Sequence, residues 1–267
     1  KSGKQKVRFQ YFEDCYKENA FLAEDIRQTV QNGVPLSEIA VLFRTNMQPR
    51  ALMEYMVSAN LAFQTKDRIP DIYEHWIARD FFTYIRIAQG SDSRADFLSI
   101  MNRPKRYIGT VCFDEWMKLY EEQPWIAERI EKLWYDLKHL SRLSPYAAIN
   151  YIRRGIGYDD YLAEYAEYRN ANKEDFYEVA DEILASAKGY RTFEEWFAHI
   201  EEYRQELKRL AQEKRRNQNA VTFATLHSAK GLEFTKVYLI DVNEGVMPYK
   251  KAVLKQDVEE ERRLFYV

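Results

Sequence analysis

Strand-type and helix-type hydrophobic patterns alternate at both ends of this chain and give way to helix alone in between, which restricts the fold more than any other feature. Lys6 to Phe12 alternates apolar and polar residues and reads as a strand. Asn19 to Gln31 sets Phe21, Leu22, Ile26 and Val30 at helical spacing, and Gly33 and Pro35 end that helix. Ile39 to Phe43 is a β-branched, apolar run of the sort buried in a parallel sheet. A polar loop follows at Arg44 to Pro49, then a second helix through Asn60. From about Asp71 to Arg216, aromatic residues, Glu and Arg recur at helical spacing without a strand signal. Within that span Thr192 and Glu195 form a capping box, and Ser144-Pro145 suits a helix entry. Ala220 to Ala224 and Val237 to Val242 are β-rich again. The expectation is an α/β fold, with a discontinuous parallel-sheet domain over 1–70 and 217–267 interrupted by an all-α inserted domain over 71–216. Right-handed βαβ connections then put ligand sites outside the carboxyl ends of the strands.

A length of 267 residues suits two domains. No apolar run approaches the roughly 20 residues that span a bilayer, and no apolar leader follows Lys1, so a cytoplasmic protein without membrane contact is expected. The chain opens without Met and closes on EEERRLFYV with no stop signal, and so reads as a segment of a larger protein. Cys15 and Cys112 stand far apart without His partners and read as packing residues, with no disulfide and no metal site. The net charge of −2 conceals local clusters: Arg103, Lys105 and Arg106 around one turn, and Arg204, Lys208, Arg209, Lys214, Arg215 and Arg216 before the last strands. Such clusters are either solvated helix faces or phosphate contacts.

The richest chemistry lies in VTFATLHSAKGLEFTKVYLID, Val221 to Asp241, where two strands bracket a polar loop. Thr225 and His227 can donate hydrogen bonds to phosphate oxygens, and Gly231 permits close backbone approach. Glu233 offers two acceptors for a pair of ribose hydroxyls, and Lys230 can neutralise phosphate or anchor the loop to a carboxylate. Taken singly, each of these residues reads as readily as an ordinary surface or turn residue.

Taken in order, they resemble motif V of the UvrD, Rep and PcrA family of superfamily 1 helicases, whose members read close to TLHxAKGLEF. EEERRLFYV at Glu259 to Val267 is similar to the first part of motif VI, and Glu244-Gly245 with Met247-Pro248 resembles the link before it. IAVLFRTNMQPR, Ile39 to Arg50, resembles the IAVLYRTNAQSR segment. PKRYIG, Pro104 to Gly109, resembles the loop that holds duplex DNA in the inserted domain, with Tyr107 in place of its first glycine, where a positive φ would strain it. IRRGIGYDDYL, Ile152 to Leu162, resembles a further stretch of that domain, whereas KDRIPDIYEHWIARD, Lys66 to Asp80, lacks the glycine pair usual there.

The resemblance implies a RecA-like (P-loop NTPase-type) second motor domain, with ATP held between it and a first motor domain. It implies Glu233 at the ribose, with Gly231 and Lys230 beside the nucleotide. Thr225, His227, Arg44 and Asn46 then face single-stranded DNA, Lys105 and Arg106 face the duplex, and Arg262 and Arg263 couple nucleotide to movement. The Gly-rich phosphate loop ending in Gly-Lys-Ser or Gly-Lys-Thr, and the carboxylate pair that holds Mg²⁺, do not occur in the sequence. Asp114-Glu115 and Asp181-Glu182 fall in helical patterns and read as surface charges. No complete catalytic set is expected here, ATP and Mg²⁺ belong to the full-length parent, and neither is held tightly by this chain alone. The implied partners are single-stranded DNA and single/double-strand junctions, with proteins docking on the helical insert, in a setting such as DNA repair. Two alternatives stay open: a DNA-binding scaffold in a degenerate helicase or helicase-nuclease, and a protein-docking module built on the aromatic helical span.

Overall fold

The computed structural model describes residues 7–67, 69–109, 123–213, 219–243, 245–248 and 255–264. Expectations placed on Lys6, Cys112, Asp114-Glu115, Lys214, Arg215, Arg216, Glu244 and residues 265–267 lie outside the described residues. The chain divides into two compact units, one made of residues 1–70 and 203–267 and the other of 71–202.

The first unit is built on a four-stranded parallel sheet in the order β2-β3-β1-β4. Its strands are β1 (Ile39–Phe43), β2 (Phe63–Thr65), β3 (Val221–Thr225) and β4 (Lys236–Leu239). All five residues of β1 are buried, which explains why the run is apolar throughout rather than alternating: a strand with neighbours on both edges and cover on both faces has no solvent side. Val41 lies opposite Phe223 on one side and Tyr238 on the other. The Phe223 ring packs between those of Phe43 and Phe63, at centroid distances of 6.5 and 5.2 Å. Full burial of side chains of this size contributes roughly 1.5–3 kcal/mol each.

Helix α1 (Cys15–Gln31) starts at Asp14, whose carboxylate accepts the Lys17 N–H at 2.9 Å, and it buries Leu22, Ala23 and Ile26. It packs against α2 (Arg50–Ser58), which buries Leu52, Met53 and Met56. Asp25 ties α1 to β4 by accepting from Lys236 Nζ and Tyr238 Oη, each at 2.6 Å.

One expected strand is absent. Residues 7–12 join no strand, and Val7, Phe9 and Tyr11 stand 79%, 76% and 91% exposed. Alternation shows only that a segment suits a ladder; the ladder needs a neighbour whose N–H and C=O groups are free to pair, and these residues have none among the described residues. The short β2, whose three residues are too few to show a period, has no sequence signal and is found only by its pairing with β3.

In the second unit every described element is helical: α3 (Trp76–Ala88), α4 (Arg94–Ile100), α5 (Pro124–Leu140), α6 (Pro145–Asn150), a π turn (Tyr151–Gly155), α7 (Tyr158–Tyr168), α8 (Lys173–Ser186) and the first part of α9 (Phe193–Glu213). Helix α3 buries Ile77, Ala78, Phe81, Tyr84 and Ile85, an apolar set at intervals of three and four. Its buried Asp80 accepts from Arg103 Nη1 at 2.8 and 3.0 Å and from Tyr158 Oη at 2.6 Å. Burial pushes that carboxyl above the usual range, with both donors opposing the shift. No described helix is long and apolar enough to cross a membrane.

Candidate functional site

The carboxyl ends of β1, β3 and β4 lie side by side, because Phe43 pairs with Thr225 and Leu42 with Leu239. The ladder extends one step past the strands, where Leu226 N–H donates to the Phe43 carbonyl at 3.0 Å and Ile240 N–H to that of Leu42 at 3.1 Å. The loops that begin at 44, 225 and 240 therefore leave the sheet together, as a parallel sheet dictates.

The loop after β3 is shaped by the division of its residues. Leu226 and Ala229 sink into an apolar cluster with Ala40, Leu42, Ala224 and Met247, while His227, Lys230, Gly231 and Glu233 are exposed. Thr225 Oγ1 accepts the Ser228 N–H at 3.2 Å and lies 3.0 Å from Ser228 Oγ, and Ala229 N–H reaches the Thr225 carbonyl at 2.9 Å. Gly231 has φ of +82°, and a Cβ built there would meet nothing within 4 Å. Glycine is needed at that position for its backbone angle and not for close contact with the protein.

Asp67 is the residue that sequence reasoning missed. Lys66 N–H bonds the Phe223 carbonyl at 2.8 Å, which sets Asp67 beside the end of β3. One carboxylate oxygen accepts the Thr225 N–H at 2.8 Å and the other accepts the Ser228 hydroxyl. Burial acts to raise the Asp67 pKa, but these bonds from Ser228 and Thr225 outweigh it and hold the carboxyl below its ordinary range. The Thr225 hydroxyl is thus a fastener within the loop, and His227 is the side chain the fastened loop displays.

The loop after β1 is closed by Gln48, whose Oε1 accepts the N–H groups of Arg44 at 2.8 Å and Thr45 at 2.7 Å. Asn46 sits inside this turn, and its Oδ1 is buried without a hydrogen-bond partner. Arg44 does not offer an open guanidinium: Nε and Nη2 grip the Glu261 carboxylate at 2.7 to 3.1 Å. Glu261 lies on α10 (Lys255–Leu264), next to exposed Arg262 and Arg263, and Arg262 pairs with Glu259 at 2.8 Å. Beneath the loops, Glu18 is pushed above the usual carboxylate range, first by burial and then by the charge of Asp241, with the Asp241 N–H opposing.

Lys105 and Arg106 belong to the other unit and part company there. Lys105 is exposed and pairs with Glu164 at 2.8 Å. Arg106 is 9% exposed, and its guanidinium donates to the carbonyls of Ile100, Met101 and Pro104 and to Tyr84 Oη. The expectation that Arg106 faces phosphate is corrected: its guanidinium is turned inward to the carbonyls of its own turn, of which that of Ile100 also accepts the Arg103 N–H at 2.9 Å. Tyr107 has φ of +55° and an exposed ring, so the strain anticipated at that position is present, and Arg129 lies over the ring at 5.5 Å.

The family model for the UvrD-like helicase C-terminal domain matches residues 1–124 and 131–267. The chain belongs to that family. It is similar to the ATP-dependent DNA helicase PcrA of Bacillus subtilis (strain 168), at 27% identity over 98% of this chain and 39% of the relative. It is similar also to PcrA of Staphylococcus epidermidis (strain ATCC 12228), at 27% identity over 100% and 40%. Rep of Escherichia coli (strain K12) is 25% identical over 88% of this chain and 39% of its own length. The chain spans about two fifths of the length of these curated relatives. The matched region includes the loop that Asp67 fastens.

Proposed function

We propose that this chain forms most of a RecA-like second motor domain of an ATP-dependent DNA helicase, with the helical span from residue 71 as an inserted domain. The observation that carries the reading is the 225–233 loop, anchored at the carboxyl edge of a parallel sheet by Leu226, Ala229 and Asp67 and leaving His227, Lys230 and Glu233 facing solvent. In this reading the exposed Glu233 carboxylate receives the two ribose hydroxyls of ATP, with Lys230 beside the phosphates and Gly231 setting the turn between them. His227 and Asn46 meet single-stranded DNA, and Thr225 shapes the loop that presents His227. Arg262 and Arg263 face the nucleotide side, and Lys105 is the cation left to approach duplex DNA near a junction.

The residues present suit one wall of an ATP site. No group of three or more His, Cys, Asp or Glu side chains that could hold a metal ion occurs among the described residues. The phosphate loop and the metal-binding carboxylates come from the first motor domain, so this chain alone does not hydrolyse ATP. Cleft closure and opening by ATP then pass the strand across the two domains, in a cytoplasmic protein whose helical unit also offers a surface to partners.

The test is DNA-stimulated ATP hydrolysis by the full-length protein. Glu233→Ala is expected to weaken apparent ATP affinity by about tenfold, the size of one lost charged hydrogen-bonding group. His227→Ala is expected to lower stimulation by DNA with ATP affinity retained. A folded full-length protein that binds single-stranded DNA without hydrolysing ATP would replace the motor with a DNA-binding scaffold.

A further inference from the structure

We propose that Arg44 and Glu261 form a strut between the single-strand face of the motor and α10, making Glu261 a positioning residue for DNA-dependent ATP turnover. The proposal rests on the motor reading above and deepens it.

The pair joins positions 217 residues apart and is bidentate, with Nη2 at 2.7 Å from Oε1 and Nε at 3.1 Å from both oxygens. A guanidinium held through two nitrogens fixes direction as well as distance, which a single contact does not. Both side chains are withdrawn from water, at 21% and 9% exposure. Charges so placed move together, because parting them gives up their mutual attraction where water only partly replaces it.

What stands at either end gives the strut its purpose. Arg44 begins the turn that Gln48 closes through the Arg44 and Thr45 N–H groups, so its position is tied to that of Asn46. Glu261 points inward from α10, while Arg262 and Arg263 follow it on the exposed side of the same helix. A nucleotide that draws on those arginines displaces α10, and the helix carries Glu261 with it. The pull reaches the Asn46 turn through this half-buried ion pair, a contiguous link between two sites that bind different ligands. Arg44 thus acts from beneath the DNA surface.

Its test uses the full-length protein and compares ATP turnover at saturating single-stranded DNA with turnover in its absence. Glu261→Gln keeps the shape and removes the charge; Arg44→Lys keeps the charge and removes the fork. Each is expected to cut the stimulation ratio about tenfold while DNA affinity changes by less than about threefold. The exchanged pair, Arg44→Glu with Glu261→Arg, is expected to recover a higher ratio than either reversal alone. Three results would overturn the strut. An unchanged ratio with a lowered Tm would make the pair a pin for α10 only. A tenfold loss of DNA affinity with the ratio at saturation intact would make Arg44 a direct DNA ligand. A wild-type protein whose turnover ignores DNA would remove the motor reading and the strut together, whereas the first two results leave the motor standing.

Discussion

Asp67→Ala should loosen the loop that displays His227, Lys230 and Glu233, and the structure sets the size of the effect. The carboxylate accepts two hydrogen bonds, from the Thr225 N–H and the Ser228 hydroxyl, across 158 and 161 residues of chain. A hydrogen bond to a charged group contributes about 1.5–3 kcal/mol when enclosed, and partial exposure of this site reduces that by roughly half, so the pair amounts to about 2 kcal/mol. In a cooperative unit of this size that loss corresponds to about 6 °C in Tm. The sign with pH follows from the depressed pKa of Asp67. A carboxyl held below its unfolded value of about 3.9 contributes fully above that value and loses its contribution as pH falls through the folded pKa. Urea unfolding of wild type and Asp67→Ala between neutral and acid pH should therefore show a gap that closes in acid. A loss below about 0.5 kcal/mol at neutral pH, or a gap that persists undiminished near pH 2, would refute the claim that Asp67 fastens the loop as a charged acceptor.

Arg106→Met should cost about 3 kcal/mol by taking the guanidinium donor from the Met101 and Pro104 carbonyls, and the salt dependence of DNA binding should not change; a shallower salt slope would return Arg106 to the phosphate contacts. Asp241→Asn removes the charge that helps raise the Glu18 pKa while suiting the φ of +54° at that position. Because a raised carboxyl pKa costs stability as pH climbs above its unfolded value, this variant should be more stable than wild type at neutral pH and equal to it in acid, and NMR titration should find the Glu18 pKa lowered. Gly231→Ala should lose about 1 kcal/mol through the positive φ alone, with apparent ATP affinity falling alongside; an unaffected thermal midpoint would show that the turn relaxes freely.

Much of this molecule was legible in its sequence. The unbroken apolar run at Ile39 to Phe43 announced a strand buried on both faces, and the helical spacing from Asp71 onward announced helices, because burial writes its period into the chain. The loop at Thr225 to Glu233 was legible as chemistry, since its residue types and order survive without any knowledge of their surroundings. Tertiary structure decided which of those side chains are free to act. Asp67 clamps Thr225, Glu261 takes Arg44, and the carbonyls of one turn draw Arg106 inward. The first two partnerships link residues more than 150 positions apart, and none of the three leaves a periodic trace, because a hydrogen bond depends on where two groups meet in space and not on their spacing along the chain. Residues 7–12 show the converse: alternation made them fit for a strand, and only the sheet, by pairing its strands elsewhere, determined that they would not be one.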